Sequence, residues 1–155
     1  MIARAMTKED VTACTAILNH TVALGGSTAQ EEPMTEEEFA QDHLVEALIC
    51  NVVEVDGRIV GFQGVWPAGE GLYSIGSFTD RRDAVPGAGR VLFEKMLNDC
   101  RARGGEAILA KITSDNIGGL AYYSKMGFAD FEIWPDDHQR PDGRKVDRIV
   151  KRFPL

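Results

Sequence analysis

Residues 84–105 read AVPGAGRVLFEKMLNDCRARGG. Leu92, Met96 and Cys100 recur on one stripe, with Phe93 and Leu97 beside it, so the spacing predicts an amphipathic helix over residues 88–103 that Gly104 and Gly105 stop. Gly87 and Gly89 stand around the first turn of that helix. Glycine in a helix interior costs about 0.5–1 kcal/mol relative to alanine, so the pair needs a reason. A strand that feeds through a glycine-rich turn into a helix gathers unpaired N–H groups and the positive end of the helix dipole at one point. Such a point suits a pyrophosphate, and side chains at 87 and 89 would obstruct its approach. Arg90, next in line, would add a cationic contact.

The glycine spacing excludes two other phosphate devices. PGAGRVLF has neither the lysine nor the hydroxyl of a mononucleotide P-loop. The third glycine of a dinucleotide turn is Leu92 here, and the repeated strand–helix–strand context is missing.

Working outward, Thr7 with Glu9 and Asp10 starts a first helix ending near Asn19, and Thr35 with Glu38 makes a capping box for a second, through about Leu48. Then the hydrophobic period changes. CNVVEVDGRIVGFQGVW holds two β-rich runs joined by Asp56-Gly57, a hairpin signal, and GLYSIGSFT, residues 71–79, reads as the next strand. AILAKIT, residues 107–113, is a buried-type strand, and NIGGLAYYSKMG a short helix closed by Gly127. FADFEIW and KVDRIVKRF, around a polar DDHQRPDGR turn, supply two final strands. The resulting order, α-α-β-β-β-α-β-α-β-β, implies an α/β fold with a mixed, mostly antiparallel sheet flanked by helices and locally parallel at the crossover helix.

With 155 residues, 44% hydrophobic and 26% charged, one domain over residues 1–155 is expected, and no repeat or linker divides it. A net charge of -7 argues against a nucleic-acid surface, and no apolar run approaches the roughly 18 residues of a membrane span. No secretory leader is evident, and Cys14, Cys50 and Cys100 have no CxxC spacing, so reduced, buried thiols in a cytoplasmic protein are expected.

Two stretches together carry a resemblance. The glycine turn Ala84-Val85-Pro86-Gly87-Ala88-Gly89, and Asn116 followed by Tyr123-Ser124-Lys125-Met126-Gly127-Phe128, are similar to the paired motifs of the GNAT superfamily of N-acetyltransferases. The resemblance runs from about Val52 to Phe128. It implies the acyl-CoA N-acyltransferase fold, with two central strands splayed apart and acetyl-CoA as co-substrate in the gap. It also implies a diphosphate held by Gly87, Ala88, Gly89, Arg90 and Val91, and pantetheine bonded to the main chain of Ser77, Phe78 and Thr79. A backbone N–H near Phe78 would polarise the thioester carbonyl. Asn116 would touch the CoA arm and Tyr123 would protonate the departing thiolate, with Tyr122 as packing. Ala84 departs from the family's arginine or glutamine. NHTVALGGSTAQEEPMTEEEF is similar to the phosphinothricin and amino-acid acetylating branch at Asn19, Thr28, Glu32 and Pro33, but Ala29 and Gln30 replace its aromatic.

The reaction implied is direct transfer of an acetyl group to a primary amine of a small molecule, an amino acid or analogue among the candidates. Acetylation of a protein N-terminus or lysine, and a non-catalytic acyl-CoA-binding module, stay open beside it. An alkylammonium, with a pKa near 10.4, must lose a proton before it attacks. Glu54, Glu70 and Asp80 are candidate bases, and none is assigned. His20, His43 and His138 lack metal-ligand spacing, so no metal is expected, and no cysteine has the neighbours of a nucleophile. The FADFEIW run reads as a buried strand, with a homodimer interface as the alternative.

Overall fold

The computed structural model describes residues 1–155. Seven strands form one sheet in the order β1-β2-β3-β4-β5-β7-β6. In chain order they are β1 Ile2–Ala5, β2 Ile49–Val55, β3 Arg58–Pro67, β4 Leu72–Thr79, β5 Ala107–Thr113, β6 Ala129–Gln139 and β7 Lys145–Pro154. Every pairing is antiparallel except β4 with β5, the two strands joined by the crossover helix α3, Ala88–Ala102. The mixed, mostly antiparallel sheet agrees with the sequence reading.

Two faces of the sheet are covered by different helices. Phe93, Met96 and Cys100 of α3 and Tyr123 of α4, Ile117–Met126, pack with Tyr73, Ile75, Ile108 and Ile112. On the opposite face, Cys14, Ile17 and Leu18 of α1, Val11–Leu24, and Phe39 of α2, Glu36–Ala40, meet Val52 and Phe62. The expected stripe of α3 is therefore the core of one face. No helix is long and apolar enough to cross a membrane.

Four boundaries differ from expectation. β1 precedes the first helix and pairs with β2, so the order begins with a strand. The first helix continues past Asn19 to Leu24, with Thr21 buried and its hydroxyl donating to the Ile17 carbonyl. The capping box at Thr35 forms, but the second helix loosens into a π turn over Gln41–Glu46 and ends before Leu48. β6 runs through Pro135 to Gln139, so half of the expected polar turn is strand. It lies at the edge of the sheet, where a proline's missing N–H breaks no ladder bond, and a register shift between Trp134 and His138 absorbs the irregularity. Its Phe131 and Ile133 are exposed, correcting the expected buried strand.

Candidate active site

β4 and β5 pair only from Leu72↔Ala107 to Ile75↔Ala110. Beyond that point they separate, and Gly76, Ser77, Phe78 and Thr79 line one wall of a cleft of about 890 Å³ whose other wall includes Lys111, Ile112 and Thr113. The N-terminal turn of α3 and both Tyr122 and Tyr123 complete it. The splayed pair implied by the motifs is present.

Register decides which main-chain groups face the gap. Ala68 N–H donates to Leu72 O at 3.0 Å and Asp80 N–H to Val60 O at 2.8 Å, with an unbroken ladder between. Alternate residues of an antiparallel strand turn their N–H and C=O to the same neighbour, so Leu72, Ser74, Gly76 and Phe78 face β3. Ser77 and Thr79 present theirs to the gap. The N–H of Phe78 itself is taken up by Phe62, so a donor near Phe78 comes from Ser77 or Thr79.

The glycines are explained differently from the sequence reading. Gly87 caps α3 with φ +87°, a left-handed conformation that a side chain would strain, while the nearest atom to a Cβ there is 3.9 Å away. At Gly89 a Cβ would lie 2.7 Å from Cε1 of Tyr122. Within the protein, one glycine serves backbone conformation and the other makes room for a tyrosine ring. The N-terminal turn itself stays open: Ala88 N–H reaches Val85 O and Val91 N–H reaches Gly87 O, whereas those of Gly89 and Arg90 meet no protein acceptor. Gly87, Ala88 and Gly89 line the cleft; the Arg90 and Val91 side chains do not, Val91 packing beside Val53 and Leu92.

A hydrogen-bonded chain crosses the base of the cleft. Tyr122 donates to Gly89 O at 2.7 Å, Gln63 Nε2 reaches Tyr122 Oη at 3.1 Å and Ser77 Oγ at 2.7 Å, and Ser77 Oγ lies 2.8 Å from Tyr123 Oη. Burial pushes both phenols up, Tyr122 to about 12 and Tyr123 further, so each keeps its proton at neutral pH. Tyr122 is thus more than packing.

Asn116 lines the cleft, and its side chain also holds structure: Oδ1 caps α4 at Gly119 N–H (2.9 Å) and Nδ2 donates to Ser27 O (3.0 Å). That second bond belongs to a strap, residues 25–34, across the opposite end of the cleft. Asn19 holds one end of it through both groups of Met34 at 2.8 Å. Arg81 donates to Ser27 Oγ at 2.9 Å, and His138 Nε2 stands 3.3 Å from Glu31. Buried Arg140 grips Asp115 through two nitrogens, at 2.7 and 3.0 Å, donates to Thr113 Oγ1 and reaches Thr28 O and Glu31. The guanidinium holds the Asp115 carboxyl below the usual carboxylate range. Sequence reasoning missed Arg140, Asp115 and Glu31, whose spacing carries no local signal.

None of the three candidate bases lines this cleft. Glu54 is paired with Arg4, Asp80 is buried between Arg58 and Arg82, and Glu70 lies by the β3–β4 turn. Two carboxylates do line it, Asp42 and Asp115, and only Asp42 is free of an arginine. Beside it His43 stacks on Phe39 at 3.9 Å and donates from Nδ1 to the Phe39 carbonyl at 3.1 Å; burial lowers its pKa, with Asp42 opposing. The thiols are pushed up by burial, Cys50 and Cys100 to about 12 and Cys14 further, so none supplies a thiolate at neutral pH.

Known structures of the same shape carry acetyltransferase names. A ribosomal-protein-alanine N-acetyltransferase from Brucella melitensis superposes with a TM-score of 0.90 at 20% identity, each chain covered in full (100%). A phosphinothricin acetyltransferase from Sinorhizobium meliloti, in complex with acetyl-CoA, gives 0.87 at 20% identity over 99% of this chain and 88% of that one. An N-acetyltransferase from Staphylococcus aureus gives 0.86 at 19%, over 99% and 97%. No curated protein sequence matches significantly. The family model for acetyltransferases (GNAT) matches residues 14–128, from the first helix through the glycine turn to Phe128, and the chain therefore belongs to the GNAT acetyltransferase family.

Proposed function

We propose that the chain transfers an acetyl group from acetyl-CoA to a primary amine of a small molecule, with amine and thioester bound together. The observation that carries this is the free main-chain edge of Ser77 and Thr79 at the point where β4 leaves β5, beside the Tyr123 hydroxyl and open to the first turn of α3. The residues fit the co-substrate. Free N–H groups at Gly89 and Arg90 suit a diphosphate, and a strand edge without a partner suits the amides of pantetheine. Acetyl-CoA supplies the activated acyl group.

The chain's own residues do the rest. The main chain at Ser77 and Thr79 orients the thioester, and a donor there polarises its carbonyl. Asp42 is placed to take the ammonium proton, directly or through water. Tyr123, held protonated by burial, gives its proton to the leaving sulfur. The likeness to a phosphinothricin acetyltransferase supports an amino acid or analogue as acceptor. The strap over residues 25–34 supports a small acceptor over a protein segment, because its bonds to Arg81 and Asn116 tie both walls of the cleft together.

A thiol-release assay with acetyl-CoA against a panel of amines tests the reading. Tyr123→Phe should lower kcat by on the order of a hundredfold with little change in acetyl-CoA affinity. Acetyl-CoA binding without release against any amine would contradict catalysis.

A further inference from the structure

We infer that Gln63 is a positioning residue which fixes the direction of the hydrogen bonds at Tyr123, so that the tyrosine's own proton points into the cleft. The inference rests on the reading of Tyr123 as proton donor. Gln63 stands on β3, outside the motifs that identify the family, and is fully buried between Asn51 of β2 and Ser77 of β4.

Counting protons fixes the Tyr122 and Gln63 contacts. The Gly89 carbonyl has none, so the 2.7 Å contact with Tyr122 takes the single proton of that hydroxyl. Tyr122 oxygen can then only accept, and the Gln63 atom 3.1 Å from it must be the amide nitrogen. A reversed amide would set two oxygens against each other with no proton between them. The same nitrogen lies 2.7 Å from Ser77 Oγ, so Ser77 also accepts from Gln63. Gln63 Oε1, on the far side of the amide, is buried without a partner. A lone buried acceptor is costly, and it persists because the orientation is dictated from the nitrogen side.

A hydroxyl that accepts a hydrogen bond becomes a better donor. Ser77 keeps its own proton and a second lone pair, so its 2.8 Å contact with Tyr123 Oη can run in either direction. The inferred chain runs Gln63 N–H to Ser77, which the geometry gives, and then Ser77 O–H to Tyr123, the direction that leaves the Tyr123 proton for the cleft. When the adduct collapses, the C–S bond breaks, sulfur keeps the electron pair and takes the proton from Tyr123 Oη. The phenolate left behind already receives the Ser77 hydrogen bond, and solvent returns its proton before the next turnover.

The test compares Gln63→Leu, Ser77→Ala, their double variant and Tyr123→Phe in the thiol-release assay. Each single change at 63 or 77 should lower kcat about tenfold and move the KM for acetyl-CoA less than about threefold. The double variant should fall about tenfold as well, because both changes break one chain. Multiplied losses of about a hundredfold, or a folded Gln63→Leu protein with full kcat, overturn the inference. If Gln63→Leu does not fold, Ser77→Ala decides it alone, and full kcat in that variant is fatal. Full turnover in Tyr123→Phe would instead refute the donor reading itself, whatever the Gln63 variants do.

Discussion

The two ends of the cleft are built by different physics. At the α3 end the walls are held by main-chain bonds and neutral hydroxyls: Val91 to Gly87, Tyr122 to Gly89, Ser77 to Tyr123. At the strap end they are held by charge, with Arg140, Asp115 and Glu31 drawing residues 28–31 onto the β6–β7 hairpin. The bonds of the first kind span at most 46 positions, Ser77 to Tyr123, whereas Arg140 reaches Thr28 across 112 positions of chain. Backbone geometry suits a ligand part that never varies, such as a diphosphate. Side-chain networks can be rebuilt residue by residue, which suits an acceptor that differs from one family member to the next.

The contrast can be broken first at Arg140. Arg140→Met takes the donor from Thr113 and leaves Asp115 only the longer contact with Arg144 at 3.6 Å, and breaking a buried pair from one side costs about 3–5 kcal/mol. Urea unfolding should register that loss, while acetyl-CoA affinity, read in any fraction still folded, changes far less. Gly89→Ala probes the other end. Its Cβ would meet Tyr122 at 2.7 Å, so the ring must move and give up its bond to Gly89; a loss of about 1–3 kcal/mol is expected, with weaker acetyl-CoA binding by calorimetry.

A smaller effect lies at His43. Its pKa is lowered in the folded protein, so below about pH 6.5 the unfolded chain takes up a proton that the folded one resists. Stability then falls as pH falls, by at most about 1.4 kcal/mol per pH unit. Asp10, Asp80 and Asp115 are held low by their arginines, so the stability they contribute is present above about pH 4 and is lost only below it, outside this window. Comparing unfolding at pH 7.5 and 5.5, His43→Phe should flatten the slope; an unchanged slope would remove His43 as its source.

The sequence made the α3 end legible because the signals are local. The stripe from Leu92 to Cys100 lies within one helix and forms, as do, away from the cleft's α3 end, the equally local Asp56-Gly57 hairpin and Thr35 capping box. Even there the reason for Gly89 was hidden, since the atom it avoids belongs to Tyr122, 33 residues later in the chain. β1 escaped notice because four residues carrying an exposed Ile2 and a charged Arg4 make no alternating pattern, and its partner β2 lies some 50 residues on. Asn19 was found as a branch motif, while its work, clamping Met34, depends on the strap's path. The strap network was invisible because opposite charges far apart in sequence look like ordinary solvated surface.

The central claim is that coenzyme A lies along the free edge of β4 and against the first turn of α3. Amide-resolved hydrogen exchange with and without acetyl-CoA tests it most directly. Slowed exchange at Ser77, Thr79, Gly89 and Arg90, with Phe78 already protected in the free protein, is the result predicted. Binding that leaves those four amides unchanged would contradict it.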